Sequence, residues 1–408
     1  MTVITGAPNF PEGKVFAGYR NAWRQVETLD GIRVVRVKTY IAANEGFLRR
    51  ALDYASFMAS ATFFALFERR PDVVVATSPQ FFCAVAGWLV SVMRWRPFVF
   101  ELRDLWPASI AAVGAMKKGP LIHLLESLEL FLYRRADTIV SVTESFREDL
   151  AGRGIARNKI EVVLNGADLS WCAPRPRDPG LATEFGLDDK FVVGYLGTHG
   201  MAHGLTNVLE AAENLRGRDD VAFLFAGGGA ERANVERLAH ERGLDNVRMI
   251  PQQPKERVAA LWSLCDLALI PLRNDPVFST VIPSKLFEAV GNGVPVLMSL
   301  PEGEATAMVK ATGCGVTVPP DNPAAMAEAI AELADDSDRM AIMRATAHAA
   351  APGYSRENRA RHMAGVLQEV VTSSRHGGGG RDKSVPASLE LVAGARPKGT
   401  YVAGDRVG

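Results

Sequence analysis

The chain has 408 residues, 48% of them hydrophobic and 23% charged, with Lys plus Arg and Asp plus Glu both at 46. That length holds two ordinary domains, each with its own core. A formal net charge of zero argues against a nucleic-acid partner held by bulk charge and leaves only local basic surfaces open.

The first strand is expected at residues 2–5, followed by a hairpin that turns at Asp30-Gly31. FLRRALDYASFMASATFFALFERR, 47–70, is an apolar helix bracketed by Arg pairs. It suits either a packed domain helix or a helix lying on a membrane surface. Apolar runs at 72–77, 96–102, 136–143 and 159–165 then alternate with helical stretches. This is the pattern of a parallel sheet covered on both faces. Residues 168–190, with three prolines and mixed charge, break the rhythm and read as a connection between domains. The alternation restarts with strands at 191–197, 221–229, 246–250, 266–272, 294–299 and 313–318. A last amphipathic helix is expected over 353–371. The Gly-rich stretch from Ser373 has no periodicity and reads as a disordered tail.

Four cysteines (Cys83, Cys172, Cys265, Cys314) lie far apart without a C-x-x-C, as free thiols of a reducing compartment do. The opening MTVITGAPNF lacks the charge and apolar pattern of a secretory signal, so a cytoplasmic location is expected. Asp336-Ser337-Asp338 has metal-chelating D-x-D spacing but falls between two helices, where capping explains it. No H-E-x-x-H motif is present, and no metal or other cofactor is expected.

Three stretches suggest a ligand site in the second half. GYLGTHGMAHGL, 194–205, runs from a strand through Gly197, Thr198 and Gly200 into a helix, a geometry that admits phosphate. FAGGGAE, 225–231, repeats the device one unit later. PSKLFEAVGNGVPVL, 283–297, starts a helix on Pro-Ser, with Ser284 able to cap it, and carries Lys285 and Glu288 on one face. Lys285 suits a diphosphate and Glu288 ribose hydroxyls, with Arg273 a second cation. In the first half, FELRDLWPASI puts Glu101, Arg103 and Asp104 at the C-terminal end of a strand, where open α/β sheets bind ligands.

Together GYLGTHGMAHGL, PQQPKERVAALWSLCDLALIPL and VIPSKLFEAVGNGVPVL resemble family 4 retaining glycosyltransferases of the GT-B fold. RDLWPASI, VSVTESFREDL and VLNGADL resemble its bacterial surface-polysaccharide branch, typified by the fucosamine transferase WbuB. The resemblance implies an α/β chain of two Rossmann-like domains facing across a cleft. Residues 1–168 would form the acceptor side, 169–190 a linker and 191–351 the donor-binding side. Residues 352–372 would be a helix crossing back, and 373–408 the tail. It also implies donor contacts at Gly197, Gly200 and Glu288, base contacts at Gln252 and Gln253, and an acid-bearing catalytic loop at Arg103 and Asp104. The sequence departs from the family in two places. Thr280 stands where an acidic residue is common, and the Arg usual after the first donor strand is absent, which shifts diphosphate binding to Lys285, backbone amides and Arg273.

The activity so implied is metal-independent, retaining transfer of an N-acetylated hexosamine or deoxyhexosamine. The donor would be a UDP-sugar and the acceptor a polyprenyl diphosphate-linked oligosaccharide, at the inner face of the plasma membrane with helix 47–70 on the bilayer. A nucleotide-sugar 2-epimerase and a non-catalytic relic are the alternatives. The relic reading follows from a further expectation. MTVITG runs straight into a loop that in the family follows the second strand, so a strand–helix unit of about 30 residues is expected upstream.

Overall fold

A computed structural model describes residues 1–9, 13–41, 47–109 and 119–375. Most of the tail, from 376 on, lies outside the described residues. The strands, in chain order, are β1 (Thr2–Thr5), β2 (Arg24–Leu29), β3 (Ile32–Val37), β4 (Val74–Thr77), β5 (Phe98–Leu102), β6 (Thr138–Ser141) and β7 (Ile160–Val162). They continue with β8 (Phe191–Leu196), β9 (Val221–Ala226), β10 (Val247–Ile250), β11 (Leu267–Pro271), β12 (Val296–Ser299) and β13 (Gly315–Val318). The α-helices are α1 (Phe47–Ala65), α2 (Phe81–Arg94), α3 (Pro120–Arg135), α4 (Glu144–Gly152), α5 (Pro179–Phe185), α6 (Leu205–Asn214) and α7 (Arg232–Glu241). They end with α8 (Lys255–Trp262), α9 (Ser284–Gly291), α10 (Glu304–Thr312), α11 (Pro323–Asp335), α12 (Ser337–Ala350) and α13 (Arg356–Arg375).

The chain divides into two units, one holding residues 1–70 with 371–375 and one holding residues 71–370. In the first, the three strands order β1-β3-β2. The β2–β3 hairpin turns where expected, with Asp30 at φ 49° and Gly31 at φ 77°, the left-handed pair of a tight two-residue turn. Helix α1 packs on β1 and β3 with Ala61 and Ala65 buried, while Leu52 and Phe63, and Phe67 just beyond its end, face solvent. Below α1, the Glu68 carboxylate accepts from Arg24 at 2.7 Å and Arg33 at 2.8 Å, and these bonds hold it below the usual carboxylate range.

The larger unit carries two parallel sheets, β4-β5-β6-β7 and β10-β9-β8-β11-β12-β13. Strand side chains alternate between faces, and in the six-stranded sheet the alternation separates two cores. Val192, Leu224, Ile270 and Met298 pack on one side, and Val193, Phe223, Leu269 and Leu297 on the other. Both faces are covered, which explains why these strands read as unbroken apolar runs. Helix α13 follows the second sheet in sequence yet packs Met363, Val366, Leu367 and Val370 on Val99, Val140 and Val163 of the first sheet. Cys265 and Cys314 are core residues, and all four cysteines are free. The Asp336 side chain caps α12 by accepting from the Arg339 amide at 2.9 Å, as its position between helices predicted.

Candidate active site

The C-terminal ends of the parallel strands form two mouths. At the mouth of the six-stranded sheet, the loops after β8 and β9 are laced by backbone bonds. The Gly197 amide donates to Ala226 O, that of His199 to Gly228 O and that of Glu231 to His199 O, at 2.8, 2.8 and 2.9 Å. Only glycine permits this approach. Gly197 and Gly227 have φ of 142° and 148°, and a Cβ on Gly227 would sit 2.0 Å from Gly197 O. Arg232 closes the loop from below, donating to Gly227 O at 2.8 Å and Ile250 O at 2.7 Å.

Lys285, on the first turn of α9, lies directly beneath this loop. A Cβ on Gly197 would meet its Cε at 2.6 Å. Its Nζ donates to the Tyr195 hydroxyl at 3.1 Å and stands 4.4 Å from that ring's centroid. Tyr195 in turn donates to Thr198 O at 2.5 Å, so one hydroxyl fixes both the loop and the lysine. Burial lowers the Lys285 pKa to about 8, with the Glu288 carboxylate opposing the shift. The surrounding imidazoles are neutral. Burial and the Arg232 and Lys285 charges bring His199 to about 4, and burial and Lys285 bring His203 to about 3. His199 is fully buried and neither ring nitrogen has a partner among the described residues. The mouth is thus poor in water-exposed charge and holds two enclosed cations, Lys285 and Arg232, the latter tied to loop carbonyls, an arrangement in which an anionic ligand gains most.

The other donor-side candidates are spread around this centre. Thr198 is exposed at the loop tip, and Gly200 packs beside His203, whose Nδ1 is 3.3 Å from Gly200 O. Gln252 lies against Gly228, where a Cβ would be 3.3 Å from its Oε1, whereas Gln253 turns back to donate to Pro251 O at 3.0 Å. Exposed Arg273 stands at the rim beside Gly204, its amide bonded to Ala202 O at 2.9 Å. Glu288 is half-buried, and burial raises its pKa against the pull of Lys285, Arg356 and Lys255. Thr280 spends its hydroxyl locally, donating to Val277 O at 2.7 Å. The capping expected of Ser284 is corrected. Pro283 holds the N-cap position, Ser284 is the first helical residue, and its side chain makes no cap bond. A side chain already inside the helix cannot reach forward to the amides that an N-cap residue serves.

At the first sheet's mouth, buried Ser78 after β4 organises the loop after β5. Its Oγ accepts from the amides of Arg103 at 2.9 Å and Asp104 at 3.4 Å. Arg103 Nη2 donates to Asn165 Oδ1 at 3.3 Å, across the ends of β5 and β7, and its Nη1 is 3.8 Å from Glu101. Burial raises the Asp104 pKa, opposed by bonds from the Ser109 hydroxyl and the Leu105 amide. Phe81 stacks on Trp106 at 5.2 Å and stiffens the turn. No contact among the described residues joins Asp104 to Lys285, so the two remain on separate mouths.

The two mouths are tied together. Glu304, after β12, accepts from the amides of Glu144 and Ser145 and the Ser145 hydroxyl at 3.1, 2.8 and 2.9 Å, at the N-terminus of α4. Val281 packs against both the first-sheet core and the second. Sequence reasoning missed Tyr195, His199, Ser78 and Glu304. Only Tyr195, two residues ahead of a Gly-rich turn, carried a local signal.

Two parallel α/β sheets joined at their C-terminal ends, one with a glycine-lined mouth, define an enzyme frame of the GT-B class. Residues 2–166 match the model of the glycosyl transferase 4-like domain, and residues 183–349 match that of glycosyl transferases group 1. The chain belongs to the glycosyltransferases that combine these two domains. It is 27% identical over 302 residues to WcaI of Escherichia coli K12, which bears the name of a colanic acid biosynthesis glycosyl transferase. That match covers 72% of this chain and 73% of WcaI. Among solved structures, sucrose-phosphate synthase of Thermosynechococcus elongatus superposes with a TM-score of 0.73 at 17% identity, over 91% of this chain and 89% of the other. Anabaena HepE in complex with UDP-glucose superposes with a TM-score of 0.65 at 19% identity, over 82% and 86%.

Proposed function

We propose that the protein transfers an N-acetylated hexosamine or deoxyhexosamine from a UDP-sugar to a polyprenyl diphosphate-linked oligosaccharide during assembly of a bacterial cell-surface polysaccharide. In this reading the anomeric configuration is retained and no metal takes part. The observation that carries the donor assignment is Lys285, enclosed beneath the Gly197 loop with Tyr195 holding both. A diphosphate over that loop meets an enclosed cation that loses little solvation on binding. Likeness to WcaI, named for colanic acid biosynthesis, supports the polysaccharide, and likeness to HepE, solved with UDP-glucose, supports the nucleotide sugar.

As the glycosidic bond to the diphosphate breaks, negative charge grows on the leaving phosphate, where Lys285 and the loop amides stabilise it. Positive charge grows on the anomeric carbon, and Asp104 on the acceptor-side mouth orients the sugar or the incoming hydroxyl. The family's same-face attack, in which the leaving phosphate takes the acceptor proton, needs no second carboxylate. Glu288 is assigned to the ribose hydroxyls and Gln252 to the base. The enzyme would act at the cytoplasmic face of the plasma membrane, with Phe63 of α1 and Phe67 just beyond its end contributing to the interface. Among the described residues no helix is long and apolar enough to cross a membrane. Salt and Phe63→Ser should then both weaken cosedimentation with anionic vesicles, and indifference to both would remove α1 from the interface.

Incubation with UDP-sugars, with and without a polyprenyl diphosphate-linked acceptor, tests the reaction. UDP release that depends on acceptor is the expected result. Epimerisation without acceptor, or no turnover with any sugar, would contradict it.

A further inference from the structure

The bonds that tie the two mouths together have Glu304 at their centre. Helix α4 follows β6, so its N-terminus opens on the acceptor-side mouth, between the loops after β5 and β7. The first turn of a helix leaves amides without intrahelical partners. Thr143 Oγ1 takes that of Phe146 at 3.0 Å. Those of Glu144 and Ser145 donate instead to Glu304, one to each carboxylate oxygen, and the Ser145 hydroxyl adds a third bond. The Glu144 carboxylate pairs with Arg147 at 2.6 Å and does not compete for these amides. Glu304 is half-buried, so the bonds are partly shielded from water.

Glu304 is held as firmly on its own side. It is the first residue of α10. The Gly303 amide donates to Thr306 Oγ1 and the Thr306 hydroxyl to Gly303 O, both at 2.9 Å. Gly303 also lies hard against the 3-10 turn Pro276–Thr280, where a Cβ on it would stand 1.9 Å from Ser279 O. From this turn the chain runs through Val281, which packs on the cores of both sheets, to Pro283 and Lys285. One short stretch therefore carries the support of Glu304 at one end and the donor-side cation at the other.

We propose that Glu304 is a positioning residue for the transfer, its grip on the N-terminus of α4 setting the spacing between the Lys285 mouth and the Asp104 mouth. The proposal rests on the donor and acceptor roles given above. An apolar contact such as Val281 is non-directional and lets the two sheets slide. A carboxylate that takes one amide on each oxygen fixes both distance and orientation, and its charge suits the positive end of a helix. Transfer between groups held on separate sheets needs that register, since a misplacement of about 1 Å costs about 10²-fold in rate. In this account Glu304 touches neither substrate and acts only through α4 and the Ser279–Lys285 stretch.

The test compares wild type, Glu304→Ala, Glu304→Gln and Ser145→Ala in acceptor-dependent UDP release, with UDP affinity measured by calorimetry. Glu304→Ala should lower kcat by about 10²-fold while UDP affinity stays within about twofold, because the donor mouth is untouched. Glu304→Gln keeps one carbonyl acceptor and should regain at least about tenfold of that loss. Ser145→Ala, which removes only the hydroxyl bond, should show a smaller fall of the same kind and keeps the test open if Glu304→Ala folds poorly. Hydrogen exchange adds a readout without turnover: the Glu144 and Ser145 amides should exchange at least about tenfold faster in Glu304→Ala. Wild-type kcat in Glu304→Ala, parallel loss of kcat and UDP affinity, a Gln variant no better than Ala, or unchanged exchange would each overturn the proposal. Failure of the wild type itself to release UDP with acceptor would instead overturn the transfer reading, and the proposal with it.

Discussion

The two mouths solve opposite electrostatic problems with opposite materials. On the six-stranded sheet the mouth is built from a glycine loop held by its own backbone bonds, two imidazoles that burial keeps neutral and an enclosed lysine. On the four-stranded sheet they are side chains: a carboxyl that burial raises, a serine that orders the loop and an arginine leaning on Asn165. Fixed dipoles and a poorly hydrated cation favour a ligand that is already anionic. A carboxyl with a raised pKa favours a group that exchanges a hydrogen bond or proton. Damage to the first mouth should therefore appear in binding, and damage to the second in turnover.

The largest separation is expected from Asp104→Asn. Turnover should fall by about 10²–10⁴-fold, the usual worth of a positioned carboxylate, while UDP affinity stays within about twofold. Parallel loss of both would make Asp104 a structural support of its loop. Gly227→Ala should act the other way. Its Cβ would sit 2.0 Å from Gly197 O at φ 148°, so the two laced loops must separate. Strain of about 1–3 kcal/mol predicts UDP binding weaker by about 5- to 150-fold, read by calorimetry on protein whose melting is checked in parallel. Unchanged affinity would show that the loops do not shape the donor site.

The smallest effect is in pH. The free protein holds Lys285 near 8, below its ordinary 10.5, and a bound diphosphate would favour the charged form and raise it. UDP binding should then be strongest below pH 8, take up a proton above it, and weaken by up to about tenfold per unit as pH rises. The same depression means that the unfolded chain binds the proton more tightly between about 8 and 10.5. Unliganded stability should accordingly gain from this group as pH rises through that window. A flat affinity from pH 7 to 9.5 would place the diphosphate away from Lys285.

Much of this molecule could be read from the chain because its signals are local. Apolar runs became strands, Asp30-Gly31 became the hairpin turn and Asp336 capped α12. Lys285 and Asp104 were legible as site candidates because each ends a strand–turn pattern. What escaped depends on distance or on loop path. Glu304 meets Ser145 across 159 residues, and no local spacing marks such a pair. His199, between two glycines, reads as an exposed loop residue and is buried only because the loop after β9 folds over it. Ser284 shows the converse error: its residue type suited a cap, but Pro283 shifted the register by one.

The central claim is that the glycine-lined mouth with Lys285 holds the donor diphosphate. Calorimetric titration of UDP into wild type and Lys285→Ala at pH 7, with folding confirmed by circular dichroism, tests it most directly. Loss of a charge-assisted contact worth about 1.5–3 kcal/mol predicts more than tenfold weaker binding in the variant. Equal affinity in a folded Lys285→Ala protein would contradict the assignment.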